Sequence, residues 1–489
     1  MVRSRFLLLV GLLSIFVLRA AGQTPPPVAV TFAHFNDVYE IEAVEGGRSG
    51  GLARVATVLQ RLRKSNAPVV TTLGGDFLSP SAISQARVDG EPLAARQMVA
   101  VLNMVGVDWA TFGNHEFDLG EAVLGARLAQ AKFRMVSSNV ANASGQPFPG
   151  VVPTAVMPVK AGGRTIRIGF IGVTLDMNRQ PWVRYAPVLD SAKAAVAALK
   201  GKADLIVALT HLSLAGDRAL VDAVPDIDLV LGGHEHENWF MRRGPRFTPI
   251  VKADSNAQSL AVATVTLRGA GTPPSVAVRF ENLNAAVPED PRVQKEVRTW
   301  MNRGFDAFRR DGFNPDEVIG TIKEPLDGRA QTIRTRSSAL TTLILSAMTR
   351  EAGTELGLLN GGSIRIDDVV SPGPVRQYDV MRVLPFGGRI VRAGLDGSVL
   401  ASVLDAGLAN SGSGGFLHWH GVTRQDATWQ VLGAPLDPAR RYVVAMPEFL
   451  LSGLESRMAF LTRTSPGVHD VREFKDIRLA VIDALRSMK

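Results

Sequence analysis

The chain of 489 residues contains no cysteine. That absence removes thiol nucleophiles, thiolate ligands and disulfides, so any metal site must be built from nitrogen and oxygen donors. Tyrosine and histidine are sparse, with four and eight copies, which makes their positions informative. Apolar runs near the ~20 residues of a membrane span are missing beyond the extreme N-terminus. Blocks of basic residues are missing too. The formal charge of +8 includes Arg3, Arg5 and Arg19, and without them it falls to about +5. A diffuse positive balance of this kind suits an anionic small molecule and argues against a nucleic-acid groove.

What is present is ordinary for a folded enzyme. Apolar residues make up 46% and charged residues 20%, enough for sizeable cores, and the length predicts two domains. Residues Met1 to Gly22 carry Arg3 and Arg5, an apolar run from Phe6 to Leu18, and the small residues Ala20-Ala21-Gly22. These are the three parts of a secretory signal peptide. The expected mature protein is therefore periplasmic or secreted, monomeric, and without stable membrane association once the segment is cleaved. Large cores make disulfides unnecessary for an exported chain of this size.

After Pro25-Pro26-Pro27, strand-like runs occur at Val28–Phe35, Val69–Leu73, Trp109–Phe112, Ile166–Val173, Leu205–Leu209, Ile227–Leu231 and Leu260–Leu267. Helical patterns such as Leu52–Leu62 and Ala94–Val105 lie between them, giving an α/β rhythm. The stretch Pro288–Asp311 is charged, with helical spacing through Val293, Val297, Trp300 and Phe305, and reads as a linker helix. A second region follows, with a helix around Ser338–Arg350, strands near Glu355–Leu359 and Tyr442–Met446, and a closing helix over Phe474–Met488.

Five short motifs close strand-like runs of the first region: Asn36-Asp37-Val38-Tyr39, Gly75-Asp76, Gly113-Asn114-His115-Glu116, Thr210-His211 and Gly233-His234-Glu235-His236. In α/β folds the crevice beyond the carboxyl ends of strands is where ligands bind, and the motifs are predicted to lie just past such ends. Asp76 has two oxygens to share between a pair of metals, and its glycines let the turn come close to them. Asn114 offers an amide oxygen. His234 and His236 on a turn after Gly232-Gly233 can diverge towards two ions. His115 is then free for general acid work or phosphate binding, and Asp118, three residues on, can orient its ring. His34 reads as a strand residue and is not counted among the ligands.

In this order the motifs resemble the calcineurin-like metallophosphoesterases, and the text around them is similar to the exported 5′-nucleotidase branch of that superfamily. The resemblance implies an α/β protein: an N-terminal β-sandwich flanked by helices over residues 28–285, a linker helix over 286–315, and a C-terminal α/β substrate-binding domain over 316–489. It implies a first metal held by Asp37, Asp76 and His236, and a second held by Asp76, Asn114, His211 and His234. Zinc, manganese or similar divalent ions are expected, with His115 and Asp118 as a catalytic dyad and Asn114 beside them. The expected reaction is hydrolysis of nucleoside 5′-monophosphates or related phosphate esters by a metal-bridging hydroxide. The alternatives are a nucleotide-sugar, cyclic-nucleotide or sulfur-oxyanion hydrolase, or a non-catalytic nucleotide-binding protein.

Tyr39 departs from the pattern, which has Asp-x-His in the first motif. Two readings are open: a tyrosinate ligand favouring a hard trivalent ion such as ferric iron, or a space-filling residue that leaves a weaker site with an extra water. The second is preferred, because a phenol of pKa about 10 is a poor ligand for divalent zinc or manganese.

In the second region, Leu359-Asn360-Gly361-Gly362-Ser363-Ile364-Arg365 resembles a family loop whose arginine contacts phosphate. Arg334 falls on another such arginine, and Arg329 is offset by one residue from a third. Phe416, after Gly414-Gly415, fits one of two aromatic positions that sandwich a base, and Phe449 the other. The Gly-Gly-Asp-Gly segment expected after Phe449 instead reads Gly453-Leu454-Glu455-Ser456. Asn360, Arg334, Arg365, Phe416 and Phe449 are thus the expected substrate contacts. His418-Trp419-His420 reads as structural.

Overall fold

Strand Val28–Phe35 is apolar on both faces because both are covered. Val28, Val30 and Phe32 point into a core between two sheets, while Ala33 and Phe35 pack beneath helices. This is visible in a computed structural model that describes residues 26–65, 67–269 and 272–488. The expected signal segment Met1–Gly22 lies outside the described residues.

Two sheets form the sandwich of the first domain. One has seven strands in the spatial order Ser275–Asn282, Ser259–Leu267, Val28–Phe35, Val69–Leu73, Trp109–Ala110, Arg134–Val136, Val151–Val152. The other has six, in the order Trp239–Arg243, Thr248–Lys252, Leu229–Gly232, Leu205–His211, Arg164–Thr174, Thr154–Ala161. Phe32, Val70 and Trp109 from the first meet Phe170, Val207 and Leu231 from the second, with Trp109 stacked on Phe170 at 5.1 Å. Helices Val188–Leu199 and Leu214–Ala223 cover the outer face of the six-stranded sheet through Ala192, Val196, Leu220 and Val221. Within each sheet the strands that carry the motifs are parallel: Val28–Phe35, Val69–Leu73 and Trp109–Ala110 in one, Leu205–His211 and Leu229–Gly232 in the other.

Several boundaries differ from the sequence reading. His211 is the last residue of its strand and not beyond it. The helix expected from Ala94 begins at Arg96, because Ala94 and Ala95 hold left-handed backbone (φ 43° and 65°) that a helix cannot contain. The closing helix starts at Ile477, since Phe474–Asp476 complete a strand paired with Arg389–Asp396 and Asp476 then accepts from the Arg478 amide as the cap. The linker helix, Pro291–Arg310, is no free spacer. Val293, Val297, Met301 and Phe305 form its buried stripe, and it packs on helices Leu52–Arg63 and Arg96–Val105.

The second domain is a five-stranded sheet ordered Leu417–His420, Leu356–Asn360, Arg441–Pro447, Arg389–Asp396, Val468–Asp476. Helix Ala339–Ala352 begins at a Ser338–Thr341 capping box. One apolar cluster runs from Phe35 and Leu59 through Val297 and Phe305 to Ile344, Tyr378 and Val481, so the domains share a core. Beside it, Tyr378 donates to Glu40 Oε2 at 2.7 Å, and Arg382 and Arg376 stand 3.4 and 3.6 Å from Glu40 and Glu42. Among the described residues no helix is long and apolar enough to cross a membrane.

Candidate active site

The motif loops converge at one end of the sandwich. Asp37, Asp76 and His211 each offer a ligand atom within 4.8 Å of the others, and all three are buried. The backbone is shaped for this: Asp37, Asp76, His234 and His236 hold φ of 53°, 52°, 85° and 56°. Left-handed backbone outside glycine costs roughly 1–3 kcal/mol per residue and collects at functional sites. Gly113 is required by closeness, since a Cβ there would lie 2.1 Å from Asp76 Oδ1.

His211 accounts for much of the electrostatics. Its Nδ1 is 2.7 Å from the Gly74 carbonyl, which can only accept, so Nδ1 carries the hydrogen. Nε2 is buried without a hydrogen-bond partner, 3.2 Å from Asp76 Oδ2 and 3.9 Å from Asp37 Oδ1. Asn114 Oδ1 is likewise buried and unpartnered. Buried acceptors of this kind are costly unless a cation or proton joins them. Burial opposes charge on His211, but the Asp76 and Asp37 carboxylates outweigh it and push its pKa up to about 9. His234 is taken down to about 4 by burial and the neighbouring His211. The donor set of carboxylates, imidazoles and one amide oxygen fits divalent zinc or manganese.

The other half of the cluster contains Tyr39. Its hydroxyl donates to Asp37 Oδ1 at 3.3 Å and lies 2.9 Å from His236 Nε2, while His236 Nε2 and Asp37 Oδ1 are 3.2 Å apart. The phenol thus already touches the two atoms expected to hold the first ion. Burial and the carboxylates of Asp37 and Asp76 push its pKa well above the usual phenol range. His236 Nδ1 reaches the second domain, 3.1 Å from the Asp367 carbonyl. His34 is a strand residue with both ring nitrogens engaged, by Thr72 Oγ1 and the Gly232 carbonyl at 2.9 Å each.

His115 and Asp118 form a dyad, Nδ1 to Oδ2 at 2.8 Å. Asp118 Oδ2 also accepts from Ser79 Oγ at 2.9 Å and from Arg365 Nη2 at 2.8 Å, and Oδ1 accepts from Asn178 at 2.6 Å. Burial alone would raise this carboxyl, but His115, Arg365 and Ser79 hold it well below the usual range. Arg365 crosses from the second domain, with Nη2 3.2 Å from His115 Nδ1 as well.

A cleft of about 750 Å³ opens between the domains, lined by Asn114, His115, His234, His236, Arg334 and Asp367 among others. Arg334 Nε and Arg365 Nε are buried without hydrogen-bond partners, and burial with the neighbouring Arg365 lowers the Arg334 pKa. Arg329 is paired twofold with Asp327 at 3.0 and 2.8 Å. The expected base-stacking pair lies elsewhere than the cleft lining. Phe416 is 6% exposed, packed on His418 and Trp419, whereas Phe449 is 43% exposed. Asn360 donates to Glu455 Oε2 at 3.0 Å and accepts from Ser363 Oγ at 2.6 Å. His418 is buried with Nε2 2.7 Å from the Ile333 carbonyl, a structural contact.

Two supporting residues went unassigned in the sequence reading. Glu116, fully buried and pushed up to about 7 by burial and by Asp76, accepts from the amides of Asp76, Phe77, Leu78 and Gly113, tying two motif loops together. Its signal was its place in Gly113-Asn114-His115-Glu116. Asn178 donates to the Asn114 carbonyl and to Asp118, and no sequence pattern marks it.

Residues 30–238 match the calcineurin-like phosphoesterase family and residues 318–462 the 5′-nucleotidase C-terminal domain. The chain is 24% identical to a 5′-nucleotidase of Mus musculus, over 87% of this chain and 83% of that one. Among solved structures, a 5′-nucleotidase precursor from Thermus thermophilus superimposes with TM-score 0.72 at 25% identity, over 94% of this chain and 97% of that one. The sulfate thiohydrolase SoxB of the same organism shares the fold, with TM-score 0.67 at 18% identity over 94% of each chain.

Proposed function

This chain belongs to the calcineurin-like phosphoesterases that carry a 5′-nucleotidase C-terminal domain and is a metal-dependent phosphoric-ester hydrolase, and from that premise we propose that it hydrolyses nucleoside 5′-monophosphates or related phosphate esters in the interdomain cleft. The observation that carries the reading is the buried cluster of Asp37, Asp76 and His211, each offering a ligand atom within 4.8 Å of the others, together with the buried and unpartnered Asn114 Oδ1. Asp37, Asp76 and His236 would hold one divalent ion, and Asp76, Asn114, His211 and His234 the other. Such ions supply Lewis acidity, which activates water and neutralises charge on a phosphoryl group.

The chain's own residues do the rest. With Nδ1 held against Asp118, His115 has Nε2 left to meet a substrate oxygen and to hold the proton for the leaving group. Arg334 and Arg365 balance charge on the transferred phosphoryl oxygens, with Asn114 beside them. The Arg365 contact to Asp118 joins the second domain to the dyad, so substrate is gripped and the dyad oriented by one loop. The apolar segment Phe6–Leu18 supports export to the periplasm or beyond.

A second reading concerns the substrate. Buried Phe416 and the engaged amide of Asn360 favour an ester whose recognition does not depend on a stacked base, such as a sugar phosphate or a sulfur-oxyanion conjugate. Elemental analysis combined with phosphate release from a panel of esters separates the readings. Preference for 5′-nucleotides over simple monoesters by about tenfold or more in kcat/KM supports the nucleotidase. Equal rates support the second reading, and a metal-free protein without turnover sinks both.

A further inference from the structure

The most unusual buried group in the first domain is Lys252, which is 0% exposed at the end of strand Thr248–Lys252. Lysine is almost never fully buried unless it is paired. Its Nζ donates to the carbonyls of Leu212 at 2.6 Å and Gly233 at 2.8 Å, and stands 2.8 Å from Asp217 Oδ2. Asp217, equally buried on helix Leu214–Ala223, accepts from Thr210 Oγ1 at 2.7 Å. The contacted residues have one thing in common. Leu212 follows His211, Thr210 precedes it, and Gly233 precedes His234. The neighbouring strand register pairs Gly232 with Lys252, and a Cβ on Gly232 would stand 3.2 Å from Lys252 Cε and 2.7 Å from Thr210 Oγ1, so the glycine leaves room for the lysine stem.

We propose that Lys252 and Asp217 are positioning residues for the metal centre: a buried ion pair that holds the turns after two parallel strands so that His211 and His234 face the same ion. The ammonium satisfies two carbonyls that would otherwise be buried without donors at turns that cannot form ladder bonds. Its charge cannot drift, because Asp217 is itself anchored to the residue before His211. The inference rests on the assignment of His211 and His234 as ligands.

The general expectation for a buried pair is that deleting one partner is strongly destabilising, while replacing both with apolar groups leaves folding nearly intact. That asymmetry separates holding the fold from holding the ligands. The test uses the full chain, stripped of metal and titrated with manganese or zinc against a competing chelator, with thermal unfolding of the metal-free protein measured in parallel. Lys252→Met/Asp217→Leu, which leaves the Leu212 and Gly233 carbonyls without the ammonium, is expected to fold with a Tm lowered by roughly 5–10 °C and to bind metal about 10- to 100-fold more weakly, the usual effect of losing an outer-shell partner. Lys252→Gln, which keeps N–H donors for the carbonyls but leaves Asp217 without its cation, is expected to be the less stable of the two variants and to lose less metal affinity than the double one. Unchanged metal affinity in a folded double variant would overturn the proposal, and so would failure of both variants to fold without metal, since the pair would then serve the fold alone. A parent protein that binds no metal would instead sink the proposed function, so the two failures are distinguishable.

Discussion

The two halves of the proposed metal centre share carboxylates and imidazoles yet reach different states. Around His211 and Asn114, the Asn114 amide oxygen is buried without a partner, and the His211 imidazole stands 3.2 Å from Asp76 with its pKa pushed up to about 9. Around His236, the Tyr39 hydroxyl already bonds the candidate ligand atoms, and the ring is held from the second domain by Asp367. One half is left with an unpartnered oxygen that a cation would satisfy, whereas in the other the candidate ligand atoms are already bonded to a phenol. Under the proposed ligand assignment, unequal affinity at the two positions is the outcome expected from that difference. The halves also answer to different parts of the molecule: the segment carrying Tyr39 continues into Glu40 and Glu42, which meet Tyr378, Arg382 and Arg376 of the second domain.

The hardest way to break the comparison is to remove the half that demands a cation. His211→Ala is expected to abolish tight metal retention and lower kcat/KM by on the order of 10³- to 10⁴-fold, read by elemental analysis and phosphate release. Arg365→Ala leaves both halves intact but strips the dyad of its cross-domain contact. A loss of about 10²-fold in kcat/KM with unchanged metal content is expected. If metal content fell as well, the clean division between the halves would be wrong.

Tyr39→His sharpens the contrast directly. Metal titration of the parent should resolve two unequal sites, and the variant should tighten the weaker by about tenfold while leaving the stronger unchanged. A visible charge-transfer band in the iron-loaded parent, lost in Tyr39→Phe, would show instead that the phenol is a ligand. The smallest effect concerns the interdomain anchor. Burial, only partly offset by Arg376, pushes the Glu42 carboxyl from 4.5 to about 7. A carboxyl that binds its proton more tightly when folded adds stability that is full below about pH 4.5 and is lost as pH rises through about 7. Glu42→Gln should therefore lessen the fall in Tm between pH 5 and 8 by about 2–4 °C. An unchanged pH profile would show that Glu42 is no part of the anchor's titration.

Strands such as Val28–Phe35 and Val69–Leu73 were legible from their apolar and β-branched residues, whereas the sandwich they form was implied by the family resemblance. The Asp76, Asn114 and His234 motifs were legible because glycines precede them where backbone must approach closely. The supporting groups were not. Lys252 and Asn178 draw their meaning from partners tens of residues away, Asp217 is anchored to Thr210 in the preceding strand, and Glu116 stood in a motif without showing which amides it binds. The linker helix was found by its periodicity, but its docking on Leu52–Arg63 was not, since spacing reveals a buried stripe without saying what covers it. The aromatic pair shows the same limit: Phe416 and Phe449 matched a pattern, and their unequal exposure became visible only in three dimensions.

The apolar cluster that passes from Phe35 through Phe305 to Tyr378 and Val481 also bears on how this chain can be inherited and handled. Modules with separate cores can be exchanged by recombination or expressed one at a time. Here a cut near residue 286 would strip the partner surface from Phe35 and Leu59 on one fragment and from Val297 and Phe305 on the other, leaving both sticky. The two halves are therefore tied to each other as a heritable unit, and calorimetry of the intact chain should show a single unfolding transition, with two separate ones as the contrary outcome.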